Sequence, residues 1–221
     1  MLFDKFKKDL DTYRNLKSKK SKIVFIWDYY KIYIISFTLI LIFVVCSIIN
    51  LINRKVVLMN VVLINSDSKI IDVNENIFID ELTKAGVDVD NKVVEINDYL
   101  SLGSDDELED SETLQVLNSL FLVKELDIFV GFKDDFDRFI EGDAFIDLSS
   151  MIDENLLNNS NYDLYKYNDS LNNSIVGGII LNNSSLLHKA GYYHSDVILG
   201  VVNNSENIDN SLAFISQLLK D

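Results

Sequence analysis

Proline is missing from the 221 residues, cysteine occurs once and histidine twice. The single cysteine, Cys46, lies inside a hydrophobic run, so the C-terminal part of the chain cannot form a disulfide and must be held by packing. His188 and His194 are six positions apart. That spacing fits neither a metal-binding helix pair nor a zincin motif, and no second cysteine completes a zinc site, so no metal is expected. No serine sits in a Gly-x-Ser-x-Gly elbow, and Gly177-Gly178 lacks the lysine and spacing of a phosphate loop. No catalytic residue and no cofactor are therefore assigned, and the chain is read as a non-enzyme. Basic residues are also scarce beyond the hydrophobic run: residues 56 to 221 hold nine Lys/Arg against thirty-one Asp/Glu. Such a surface repels nucleic-acid phosphates, which need Lys/Arg to replace their counterions. The acidity reads as a solubility device. The missing proline, with abundant Asn, Ile, Lys, Asp and Leu, fits the codon usage of an AT-rich, low-GC bacterium, in which sequons such as Asn158 to Ser160 carry no glycosylation signal.

What is present is a long apolar segment near the N-terminus. Ile32 to Ile52 is 21 residues without a charge. At about 1.5 Å per residue this matches a hydrocarbon core of roughly 30 Å. Residues 1 to 31 hold nine Lys/Arg against four Asp/Glu, while only Arg54 and Lys55 follow the span closely. The positive-inside bias predicts a cytoplasmic N-terminus and an extracellular C-terminal domain. Trp27, Tyr29, Tyr30, Lys31 and Tyr33 are the expected membrane-interface residues. A cleavable signal peptide is disfavoured, because the apolar run is too long and ends in Ile48-Ile49-Asn50-Leu51 rather than in small residues. Val44-Val45-Cys46-Ser47 lacks the small residue of a lipoprotein box. Leu2, Phe6, Leu10 and Tyr13 recur at helical spacing among lysines, an amphipathic pattern suited to an anionic membrane surface. The expected segments are a basic stretch at 1–22, a membrane helix at 23–53 and an extracytoplasmic domain at 54–221.

That domain alternates strand and helix signals. Val56 to Ile64 is β-branched and apolar on both faces, as in a central strand. Asp72 and Glu75 make a capping box for a helix over Asp72 to Ala85, closed by Gly86. Strands are expected at Lys92 to Ile96, Leu126 to Val130, Asp163 to Tyr167, Ser174 to Leu181 and Asp196 to Val202. Helices are expected at Ser111 to Lys124, around Phe136 and Phe139, and from Ile208 to Leu219. The alternation predicts a single α/β domain with a mostly parallel or mixed sheet.

Three stretches, Leu126 to Gly131 with Gly142 and Phe145 to Leu148, the Gly-Gly strand Ile175 to Leu181, and Leu199 to Ser205 before the last helix, resemble the extracellular solute-binding proteins of ABC importers, which have the type II periplasmic-binding fold. Only about 47 residues separate Leu148 from Asp196, so the resemblance implies a truncated, membrane-anchored, one-lobed relative. Solutes of that family bind between two lobes, and loss of one makes small-solute capture doubtful.

The acidic run Asp105 to Glu112 lacks EF-hand spacing and its turn glycine, and reads as a solvated loop. Asp134, Asp135, Asp137 and Glu141 offer the residue type of a glycosidase acid/base pair, but sequence does not give the separation that such chemistry requires. The expected function is a membrane-anchored binding or interaction module, accessory to a transporter or envelope complex and contacting a membrane protein partner. The alternative is an envelope enzyme with an unrecognised active site. Contact is expected at the carboxyl ends of the parallel strands, where helix N-termini and diverging loops meet. The candidates there are Tyr99, Leu102, Phe132, Lys133, Asn203 and Ser205.

Overall fold

A computed structural model describes the chain apart from residues 1, 17, 53–54, 70–75, 104–106, 141, 183–184 and 221, and apart from the side chains of residues 2–8, 50, 52, 69, 107–109 and 159. The chain divides into two compact units, Met1–Arg54 and Lys55–Asp221.

The first unit is helical. α1 spans Leu2–Asn15 and α2 spans Lys19–Ile52. Leu10 and Tyr13 of α1 and Phe25, Tyr30 and Phe37 of α2 line a cleft of about 590 Å³, and Tyr30 Oη donates to Asp9 at 2.9 Å. Lys22 Nζ lies 5.1 Å from the centre of the Tyr13 ring. From residue 31 to residue 49 every residue of α2 is exposed, and α2 contains the one helix segment, among the described residues, long and apolar enough to cross a bilayer. By length and composition such a helix is a membrane anchor or a signal sequence.

The second unit is α/β. Its strands are β1 (Val56–Leu63), β2 (Lys92–Asn97), β3 (Ile128–Gly131), β4 (Asp163–Asn168), β5 (Ser174–Leu181) and β6 (Val197–Val201). Its helices are α3 (Ile77–Lys84), α4 (Glu107–Val123), α5 (Lys133–Ile140), α6 (Leu148–Met151), α7 (Glu154–Asn159), α8 (Leu186–Lys189) and α9 (Ile208–Leu218). The strands form one six-stranded sheet in the order β2-β1-β3-β6-β5-β4. β1 runs parallel to β2 and β3, whereas β3–β6, β6–β5 and β5–β4 are antiparallel. The sheet is therefore mixed, and the mostly parallel expectation holds only for its first three strands. Apolar runs such as Val197–Val201 suit a buried strand of either direction, so the pattern carries no sign of the reversal.

Helices cover both faces, because β1, β3, β5 and β6 carry apolar residues on both. Phe78, Leu82, Phe214 and Ile215 from α3 and α9, with Leu148, Leu157 and Leu187 from α6, α7 and α8, fill one face. Leu117 of α4 and Phe136 of α5 fill the other, with Phe129 and Phe145. On that second face glycines let rings lie against the sheet. A Cβ on Gly200 would sit 2.8 Å from the Phe136 ring, and one on Gly177 would sit 2.1 Å from the Tyr167 ring. Phe136 in turn stacks on Phe145 with centroids 3.9 Å apart.

Asp72 and Glu75 of the expected capping box lie outside the described residues, and the helix is described from Ile77. α4 begins at Glu107, earlier than the expected Ser111, so part of the acidic run is helical; Asp105 and Asp106 lie outside the described residues. Between α5 and β4 the chain also forms α6 and α7, neither of which the sequence pattern predicts. Each is started by an aspartate cap: Asp147 accepts from Ser149 N, and Asp153 accepts from Asn155 N and Leu156 N.

Candidate functional site

β1 leads to β2 on one side and is flanked by β3 on the other, so the topological switch point lies between the carboxyl ends of β1 and β3. The structure fills this crevice. Asn65, directly after β1 and held at φ 57°, donates from Nδ2 to Leu102 O and to Asp135 Oδ2, both at 2.9 Å, and accepts from Leu102 N at 2.9 Å. Asn65 N also donates to Leu100 O at 3.0 Å. These bonds draw the segment after β2 into the crevice and bury Leu100 and Leu102. Asp135 is 4% exposed, and burial raises its carboxyl above the usual range against the pull of Asn65. Tyr193 Oη, fully buried nearby, donates to Ile64 O at 2.8 Å.

The six partner-binding candidates separate accordingly. Leu102 belongs to the core instead of an exposed apolar centre, because Asn65 holds both its backbone groups. Phe132 is half-buried and packs edge-to-face on Tyr193, with centroids 5.9 Å apart. Lys133 is exposed, pairs with Asp137 and lies 5.7 Å from the Tyr165 ring. Asn203 and Ser205 sit at the opposite end of the sheet, since β6 is antiparallel to β3. There Asn203 donates to Asp143 O, and the buried Ser205 donates to Asp127 at 2.5 Å. Tyr99 is 61% exposed. Of the expected interface residues on α2, Trp27, Tyr29, Lys31 and Tyr33 are exposed and Tyr30 is half-buried against Asp9.

Near Tyr99 the surface mixes apolar and polar side chains. α4 carries Val116, Leu120 and Val123 at helical i, i+4, i+7 spacing; Val123 is 58% exposed, and Leu120 lines a depression of about 230 Å³ with Tyr99, Glu95, Asn97 and Glu125. This depression lies against β2, the strand at one edge of the sheet. Sequence reading placed Lys92 to Ile96 in the sheet but gave its order no edge, so Glu95 and Glu125 went unnoticed. Asn65 was legible in principle: an Asn-Ser-Asp-Ser run directly after a strand is turn chemistry that tolerates positive φ.

The remaining polar clusters are structural. Ser185 and His188 Nδ1 are 2.7 Å apart, a nucleophile-and-base spacing. However, Ser185 is buried at the start of α8, and His188 Nε2 is bonded to the Ser195 carbonyl at 2.8 Å. The Ser195 carbonyl can only accept, so the ring donates to it through Nε2 and ties the loop to α8. His194 Nδ1 reaches Asp67 Oδ2 at 2.7 Å, joining the loop before β6 to the turn after β1. Among the carboxylates considered for a glycosidase pair, Glu141 lies outside the described residues, Asp135 is buried against Asn65, and Asp137 accepts from Tyr165 Oη as well as Lys133.

Comparison of the chain with protein-family models, curated proteins and solved structures gives no match.

Proposed function

We propose that the chain is a membrane-anchored, extracytoplasmic interaction module, accessory to a transporter or envelope complex, whose α/β unit docks a protein instead of enclosing a small solute. One observation carries this reading: the crevice where open α/β sheets bind small ligands is filled by the protein's own Leu100–Leu102 segment, while Tyr99 beside it and Val116 and Val123 of α4 are exposed. Apolar side chains around a shallow depression suit a protein interface better than solute capture. The exposed apolar α2, preceded by lysines, supports an anchor with its N-terminus inside.

The test is photo-crosslinking in intact cells from a benzoyl-phenylalanine at position 99 or 123, with position 166 on the far edge strand as control. Proteinaceous adducts from 99 and 123 that pellet with membranes, and none from 166, are expected. Equal labelling from all three positions overturns docking at this surface. Protease added to protoplasts should remove a tag at Asp221 and spare one at Met1; the opposite pattern overturns the topology.

A further inference from the structure

We infer that the partner docks by strand addition, placing an extended segment with alternating apolar and basic side chains along the open edge of β2; this rests on the interaction-module reading. β2 pairs with β1 on one side only, so alternate residues direct backbone N–H and C=O groups away from the sheet. Natural edges are commonly blunted by proline, a bulge or a covering element. β2 contains no proline, the irregularity in its pairing falls in β1 between Val57 and Met59, and no strand covers its outer side among the described residues.

Both faces of the edge carry depressions, as strand addition requires for alternate side chains of the incoming segment. On the α3 side, Ile79, Val94 and Ile96 share a space of about 400 Å³ with Asn76, Lys92 and Asp98, so an incoming apolar residue finds its contact along the Ile79, Val94, Ile96 wall. On the α4 side the 230 Å³ depression is lined by Glu95, Asn97 and Glu125. Its polar lining combines the Glu95 and Glu125 carboxylates with the Asn60 and Asn97 amides and the Tyr99 hydroxyl. Asn97 Oδ1 is buried and receives no hydrogen bond, and Glu95 and Glu125 form no ion pair among the described residues. An unpaired buried acceptor beside two carboxylates calls for a multi-donor cation, an Arg or Lys side chain. The charge of the unit points the same way: with thirty-one carboxylates against nine basic residues in 56 to 221, a second copy is repelled and a basic segment is attracted.

The probe is an acetylated, amidated peptide of alternating valine and arginine, added to the full chain in neutral lipid nanodiscs. Amide exchange over Lys92–Asn97 should slow at least tenfold, with β5 and β6 unchanged. Peptides N-methylated on one alternate set of residues should lose binding at least tenfold, and those methylated on the other set should retain it, because only one set faces β2. The double variant Glu95→Lys, Glu125→Lys should weaken binding at least tenfold while leaving exchange in β3 and β6 at wild-type rates. Equal binding of the two methylated peptides, or of a valine-glutamate peptide, overturns the proposal. So does protection of β2 by self-association without peptide. If cross-links from 99 and 123 reach a membrane protein while the peptide leaves β2 exchange unchanged, strand addition falls and the interaction module stands. If the peptide protects β2 but those positions cross-link nothing, the docking surface of the module falls and the strand-accepting edge stands.

Discussion

Two buried carboxylates close the two ends of β3, and they do so by different means. At the amino end Asp127, fully buried, accepts from Asn60 N at 2.7 Å, Ser205 Oγ at 2.5 Å and Asn207 Nδ2 at 3.0 Å, while its own backbone exchanges bonds with Asn60 O and Val202 N. That one side chain ties β1, β3, the end of β6 and the start of α9. At the carboxyl end Asp135 accepts from Asn65, and closure comes mainly from the loop that Asn65 draws in. One end is held by a saturated polar knot and the other by an inserted apolar segment. Neither is left open to a ligand, which moves attention from the strand ends to the free side of β2.

The largest effect should come from the polar knot. Asp127→Ala removes the acceptor of four donors, two from Asn60 and one each from Ser205 and Asn207, and each lost partner costs about 1–3 kcal/mol, so the folded state should lose about 3 kcal/mol or more. Urea unfolding of the full chain in detergent, followed by tyrosine fluorescence, measures it. A midpoint close to wild type would mean that the four elements are held together by packing alone.

A further loss is expected on the aromatic face between the two ends. Gly200→Ala puts a Cβ 2.8 Å from the Phe136 ring and 2.9 Å from Gly177 O, and backbone cannot yield as a side chain can. Overpacking of this kind costs roughly 1–3 kcal/mol. The same urea midpoint reads it, and a paired Phe136→Leu substitution should restore part of the loss by freeing the space over Gly200.

The strands and the long helices of this fold were legible because each carries its own period: β-branched runs for β1, β5 and β6, and the Ile208, Leu212, Ile215, Leu219 stripe for α9. Strand direction was not, since a strand buried on both faces reads alike either way, and so Asn203 and Ser205 were assigned to the wrong end of the sheet. The role of Leu102 was hidden for another reason. An apolar residue in a loop reads equally as surface or as plug, and only the Asn65 side chain, thirty-seven positions away, decides it. The edge position of β2 likewise depends on strand order, which no local pattern encodes.

Asp135 gives the carboxyl end of β3 a pH dependence of its own. Its folded-state carboxyl lies above the ordinary 3.8, chiefly through burial, so the folded chain holds a proton at pH values where the unfolded chain has released it. Its contribution to stability is therefore full below 3.8 and is lost as pH rises through the raised value. Asp135→Asn removes that loss while keeping an acceptor for Asn65. The variant should gain stability relative to wild type as pH rises from the acid side toward neutrality, by about 1 kcal/mol or less. Urea midpoints of both proteins across that range check the sign; a variant that instead falls behind on raising the pH would mean that the carboxylate is the form the fold prefers.

The smallest effect belongs to the surface on which the functional reading depends. Tyr99 and Leu102 lie three residues apart on the segment leaving β2, yet Tyr99 is 61% exposed and Leu102 only 4%. Leu102→Ala should therefore cost about 2–5 kcal/mol, as a truncation in a packed crevice. Tyr99→Ala should change stability by less than about 0.5 kcal/mol, as exposed substitutions do. The pair forms an internal control, since both shorten the same loop side chains and differ only in which way those side chains face. Hydrogen exchange at Asn65 and Leu102 should accelerate in the Leu102 variant and stay at the wild-type rate in the Tyr99 variant. Position 99 would then be free to serve a partner without a cost in folding. If Tyr99→Ala lowers the midpoint as far as Leu102→Ala does, Tyr99 is part of the plug, and the outward apolar surface beside β2 shrinks to α4 alone.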